Sequence, residues 1–317
     1  MRFLTIFLVL AWAWGQNPAI SSDLPSKNRP KIAMITWRGE TRAEEGFADG
    51  LRGDGYEPRF VKFHCSQDLD RLDQALKALE KEKPDLIYVF GTTATKQVVQ
   101  KITVCPIVFN IVTRPVESGI IANWQSSGNN ATGVSSMVPI RHQIKTFEKV
   151  VSFSRLGIIY NPLEQNSVIQ TKILREIARS QGFELIEFKI TGKKEVSRVL
   201  NNLKDLVDAV YLPSDSMVKI LGKQIMAHVN AHKIPSLAAM EEMVLTDSSM
   251  MGLVPDYYRL GRLAARKAHA VFRGNHPSTI PAVTSDHFNI TVNLKTAQNI
   301  GIHIPTAVLV MADKIIR

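Results

Sequence analysis

Short apolar runs alternate with amphipathic stretches along most of the chain. The runs rich in β-formers are Lys31–Thr36, Arg59–Phe63, Leu86–Phe90, Ile107–Asn110, Leu156–Tyr160, Glu184–Lys189, Ala209–Leu212 and Pro235–Ala238. Between them the spacing is helical. In DLDRLDQALKALEKEK, starting at Asp68, Leu69, Leu72, Leu76 and Leu79 recur at three and four residues and share one face. Strands separated by helices of this length predict right-handed βαβ units and a parallel sheet. The second half repeats the first. DGYEPRFVKF from Asp54 is echoed by QGFELIEFKI from Gln181, PDLIYVFGTTATKQV from Pro84 by VDAVYLPSDSMVKIL from Val207, and VCPIVFN from Val104 by KIPSLAA from Lys233. Three echoes in one order predict an α/β protein of two Rossmann-like, doubly wound lobes with a hinge and a cleft between them.

In such sheets ligands gather beyond the carboxyl ends of the strands, at the loops that open the helices. Those loops are Thr36-Trp37-Arg38, Gly91-Thr92-Thr93, Val112-Thr113-Arg114-Pro115, Asn161 through Ser167, Pro213 through Ser216, and Ala239-Met240-Glu241. The candidate ligand-binding residues are Trp37, Thr92, Thr93, Thr113, Arg114, Ser136, Asn161, Glu164, Asn166, Ser167, Ser214, Asp215, Met240 and Asp256. Hydroxyls at helix starts either cap the helix or, with its free N–H groups, bind an anion. Trp37 offers either a flat wall or a packing residue. Asp215 and Asp256 serve either as ammonium acceptors or as helix caps.

Met1-Arg2 followed by the apolar run Phe3–Ala13 predicts a signal peptide over residues 1–15, then a flexible leader over 16–30. No cysteine lies near the cleavage site, so a lipid anchor is not expected, and the chain should act in the periplasm or another extracytoplasmic space. The 317 residues carry 39 basic and 29 acidic side chains, a net +10, but with no block longer than Lys193-Lys194. Export and scatter together argue against nucleic acid and for a basic, solvated surface. Cys65 and Cys105 adjoin strands that are not neighbours in the expected sheet, so two free thiols are expected. Dinucleotide, P-loop and nucleophile-elbow motifs are missing. His228 and His232, four apart, lack a third ligand. No enzyme, cofactor or metal is therefore expected.

FNIVTRPVESGIIANWQSSGNNATGVSSM, RLGIIYNPLEQNS, VDAVYLPSDSM and LVPDYYRLGRLAA resemble the ABC-transporter substrate-binding proteins of the TrpX type, from about Lys31 to the closing VNLKTAQNIGIHIP. The resemblance implies a type I periplasmic-binding-protein fold with three crossovers, near Met137, Pro255 and Pro281–Thr284. The lobes would comprise residues 31–137 with about 256–281, and 138–255 with about 284–317. It also implies capture of an amino acid or related carboxylate-bearing solute by hinge closure, for an ABC permease and ATPase, with the receptor a monomer. The alternative output is signalling through a membrane sensor kinase. Two departures stand out. Arg114 replaces the family's usual Asp, which would repel a ligand ammonium and attract a carboxylate, and AAMEEMV (Ala238–Val244) places Met240 and Glu241 where relatives carry small residues.

Overall fold

The computed structural model describes residues 28–317; the expected signal peptide and all of the expected leader before Asn28 lie outside them. The first half runs β1 (Lys31–Thr36), α1 (Arg42–Gly53), β2 (Arg59–His64), α2 (Leu69–Glu82), β3 (Leu86–Phe90), α3 (Thr92–Lys101), β4 (Ile107–Val112) and β5 (Ala131–Ser135). The second runs α4 (Ile140–Glu148), β6 (Arg155–Tyr160), α5 (Gln165–Gln181), β7 (Glu184–Lys189), α6 (Lys193–Leu206), β8 (Ala209–Leu212), α7 (Ser216–Ile220), α8 (Gly222–Ala231), β9 (Ser236–Ala238), α9 (Glu241–Leu245) and β10 (Met251–Pro255). The chain then returns through α10 (Tyr257–Phe272) and β11 (Val283–Thr284), and ends as β12 (Phe288–Asn293), α11 (Leu294–Ile300), α12 (Thr306–Met311) and β13 (Lys314–Ile316).

Two sheets result. The first has the order β11-β5-β4-β3-β1-β2 and the second β13-β12-β10-β9-β8-β6-β7. All pairs are parallel except β10 with β12. The segment β5-β4-β3-β1-β2 has its counterpart in β10-β9-β8-β6-β7, the structural form of the sequence echo. Central strands β3, β4 and β8 are buried at every residue, whereas the edge strand β2 alternates toward solvent. That difference is what helices on both faces impose on a parallel sheet. On α2, Leu72, Leu76 and Leu79 are buried as the periodicity predicts, but Leu69 is 57% exposed. It opens the helix directly after the capping Asp68, beyond the turn that packs on the sheet.

The chain passes between the sheets three times: between β5 and α4, at Asp256 between β10 and α10, and between β11 and β12. The third passage, at residues 285–287, is a few residues later than the sequence suggests, because Val283 and Thr284 still pair with Val134 and Ser135 in the first sheet. Helix α10 thereby belongs to the first lobe, where it lies on α1 through small residues. A Cβ on Gly261 would stand 2.1 Å from the Ala43 carbonyl oxygen, and one on Gly46 would stand 2.1 Å from that of Tyr258. Both neighbours are backbone and cannot swing aside. Gly261→Ala should therefore cost about 1–3 kcal/mol through overpacking. A lowered urea midpoint at unchanged slope would show it, and a midpoint equal to that of the native protein would contradict the close approach.

Candidate functional site

The carboxyl ends of the two sheets face each other across a narrow cleft. From the first lobe Trp37, Arg38, Phe90, Gly91, Thr92, Thr93, Ile111, Thr113 and Tyr257 line it; from the second, Glu164, Asn166, Ser214, Asp215, Ser216 and Met240. Nine of the fourteen residues picked from the sequence are in this lining. The other five are not. Asn161 and Ser167 lie behind Asp215: the Asn161 N–H donates to Asp215 Oδ2 at 2.7 Å and the Ser167 hydroxyl at 2.5 Å. Asp256 caps α10 through the Arg259 N–H. Arg114 and Ser136 line an adjoining hollow that meets the cavity only at Thr113 and Ser214.

Arg114 thus corrects the sequence expectation. Its guanidinium is tied to Glu117 at 2.7 Å, so its charge is matched outside the main cavity. Arg114→Gln should change ligand affinity less than about threefold, the size of an exposed ion pair, by calorimetry; a larger loss would return Arg114 to the site. For Asp215 the structure shows the capping alternative read from the sequence. It lines the cavity but is a structural acceptor, holding the Val218 N–H as the α7 cap besides Asn161 and Ser167. On the α9 wall, Glu241 turns away to Lys314, and Glu242 is the residue that approaches Arg38.

The cation inside the cavity is Arg38. Its side chain is only 9% exposed. It donates to the Tyr257 hydroxyl at 3.0 Å and the Met240 sulfur at 3.1 Å, approaches Glu242 at 3.6 Å, and lies 5.4 Å from the Phe90 ring centroid. Burial opposes its charge, but Tyr257, Glu242, Glu164 and Glu44 outweigh that and hold its pKa above the ordinary value. A guanidinium has five N–H donors. Two are spent on these partners, and the other three make no hydrogen bond of ordinary length among the described residues.

Behind it, α3 opens at Gly91, with φ +92° and no side-chain cap. A Cβ there would press on the Trp37 Cβ at 3.3 Å, so glycine serves both the conformation and the close approach. The first N–H groups of α3 are thus open to an anion. Across the cavity, Glu164 accepts the Ser216 N–H at 2.7 Å. Burial first, and then the Asp215 carboxylate, push the Glu164 pKa up to about 8. The cavity therefore has a donor-rich end, an acidic end, and the rings of Trp37, Phe90 and Tyr257 between.

Ile111 completes the wall in a left-handed conformation, φ +55°, which is uncommon for a β-branched residue. A buried chain of bonds supports it. Tyr88 donates to Glu44 at 2.7 Å and accepts from Asn110, whose Oδ1 in turn accepts the Ile111 N–H at 3.0 Å. The register of β4 against β5 shifts at the same place. The lobes are also joined around the cavity. Arg38 reaches Met240, Gln67 donates to the Ser216 carbonyl at 3.0 Å, and Lys96 donates to Gln165 at 2.7 Å.

Sequence reasoning named the Arg38 and Gly91 loops but did not choose those residues, and it missed Phe90, Ile111 and Tyr257. Phe90 reads as strand core, and Ile111 falls between the expected strand Ile107–Asn110 and the loop from Val112. Tyr257 sits one residue past a cap; the resemblance returns its helix to the first lobe, but nothing in the pattern turns its ring toward the cleft.

The family model of ABC transporter substrate binding proteins matches residues 32–316. The chain belongs to that family. Its fold is that of the type I periplasmic binding proteins. Among similar proteins, the tyrosine-binding protein of Clostridioides difficile (strain R20291) is 28% identical over 263 residues, 80% of this chain and 75% of that one. An ABC domain from Streptococcus pneumoniae in complex with L-Trp overlays with a TM-score of 0.86 at 22% identity, covering 91% of this chain and all of the other. A ligand-free, open substrate-binding protein with adhesive properties from Clostridium difficile gives 0.71 at 23% identity, over 90% and 99%. Among the described residues of this substrate-binding protein, no helix is long and apolar enough to cross a membrane.

Proposed function

We propose that this protein captures an α-amino acid with a flat, apolar side chain and delivers it to an ABC permease, working outside the cytoplasm after export directed by residues 1–15. The observation that carries the reading is Arg38: a buried guanidinium with unspent donors, set across a small cavity from a buried carboxyl. The ligand carboxylate lies between Arg38 and the open end of α3, near Thr92 and Thr93. Its ammonium faces Glu164 and Asn166, and its side chain lies among Trp37, Phe90, Tyr257 and Met240. The tyrosine- and tryptophan-binding relatives support an aromatic amino acid.

Neither lobe alone encloses such a ligand, so binding favours the form in which both walls touch it. Two observations support a hinge that closes. Side chains already bridge the lobes around the cavity. The overlay is also better on the L-Trp complex than on the open chain, although the two identities are nearly the same.

A melting-temperature screen of L-amino acids and organic acids tests the reading, followed by calorimetry and small-angle scattering. Ligand at a hundred times its Kd should add about 2.7 kcal/mol of stability, a shift of several degrees. The expected result is stabilisation by aromatic amino acids, none by their deaminated acids, and a smaller radius of gyration at saturation. Equal stabilisation by acids without an amine, or an unchanged radius, would overturn it.

A further inference from the structure

Some exposed cations of the protein are matched. Lys77 and Lys101 meet Asp73, Arg155 meets Asp208, and Arg175 meets Glu187. Many others among the described residues stand without a carboxylate, and helix α10 holds three of these in one row. Its buried face is Tyr257, Leu260, Gly261, Ala264, Ala265 and Ala268, which turns Arg259, Arg262 and Arg266 outward together at three- and four-residue spacing. All three are exposed, and among the described residues none pairs with a carboxylate within 4.0 Å. With Leu263, Ser285 and Asp286 they line a surface hollow beside the third passage between the lobes, on the outside of the molecule. Asp286 is the one acid in that hollow, so an excess of positive charge remains.

We infer that this arginine row is a docking surface for anionic phospholipid headgroups. Guanidiniums match phosphate oxygens with paired N–H donors, and their weak hydration makes the exchange of water for phosphate easy. The surroundings favour a lipid surface over a protein partner. Protein interfaces concentrate energy in buried aromatic and aliphatic anchors, and here only the half-buried Leu263 accompanies the charges. A headgroup layer asks for no such anchor. It needs several cations held on one side, each adding attraction that salt weakens. A receptor without a membrane-spanning helix in its described residues would by this means be held near the bilayer where a permease sits.

The test is sedimentation of the full chain with vesicles of phosphatidylcholine alone or mixed with phosphatidylglycerol, at low and at high salt. The expected result is binding to the anionic vesicles only, lost at high salt, and weakened at least about tenfold in the triple variant Arg259→Gln, Arg262→Gln, Arg266→Gln. An unchanged melting temperature and an unchanged amino-acid affinity would show that the variant is folded and that the surface is separate from the cavity. Four results would overturn the inference: no binding to anionic vesicles at low salt, equal binding to neutral ones, native binding by the triple variant, or binding confined to an acidic peptide such as poly-glutamate. If the amino-acid screen fails while the lipid result holds, it is the ligand reading that falls.

Discussion

Arg38→Leu should lower the affinity for an amino acid about a hundredfold, since cutting one partner from a buried, hydrogen-bonded charge pair costs roughly 2–5 kcal/mol. The loss has two sources on the same side chain. The ligand carboxylate loses its donors, and the closed form loses the contacts that Arg38 makes with Met240 and Glu242 on the other lobe. Leucine keeps apolar contact with Phe90 and Tyr257, so the fold should survive, but Tyr257 and Glu242 lose their partner and the melting temperature should fall. Arg38→Lys should recover little, because an ammonium cannot present the planar fork of donors. Calorimetry on both variants decides the matter. An affinity for Arg38→Leu within threefold of the native value would remove Arg38 from ligand recognition.

The second large effect is a dependence of stability on pH. The folded chain keeps a proton on Glu164 up to about pH 8, whereas the free carboxyl gives it up near 4.5. Between those values the folded state binds more protons than the unfolded one, so stability falls as pH rises through the window and levels off above it. Allowing for relaxation of the site, the fall should be on the order of 3 kcal/mol. Glu44, also buried and also raised, acts in the same direction.

Glu164→Gln separates the two carboxyls. Glutamine has the shape of the protonated acid: it can still accept from the Ser216 N–H and can donate toward Asp215. The variant should match the native protein near pH 5, exceed it near pH 9, and lose the part of the slope due to Glu164. Urea midpoints across that range test this, and parallel curves for the two proteins would place the proton elsewhere. The same carboxyl predicts that an amine-bearing ligand expels a proton on binding near neutral pH. The heat of binding should then vary with the ionisation enthalpy of the buffer in the native protein and not in Glu164→Gln.

The sequence and the structure agree best where burial is two-sided. β1, β3 and β8 have the limits that the apolar runs predict, since a strand covered on both faces has few polar residues to blur it; the edge strand β7 matches as well, through its alternation. β5, ATGVS, is equally buried but made of small and polar residues, and no periodicity marks it. The site divides along similar lines. Loop residues at helix starts were visible because hydroxyls and amides gather there for physical reasons. Whether each one caps, braces or meets ligand depends on side-chain direction, and that comes from tertiary packing. Asp215, bonded to three neighbours, and Arg114, bonded to Glu117, show how a polar residue in the right loop can already be spoken for. Arg38 shows the converse.

The return of α10 and β11 to the first lobe sets an order on biosynthesis. The groove on α1 around Gly46 and Phe47 stays uncovered until Tyr257–Phe272 has left the ribosome, and β5 has no outer neighbour until Val283 follows. The lobe begun first is thus finished nearly last. A nascent chain stopped at the end of β5 should remain open to protease and to chaperone, the state in which a polypeptide can still be threaded through a translocation pore.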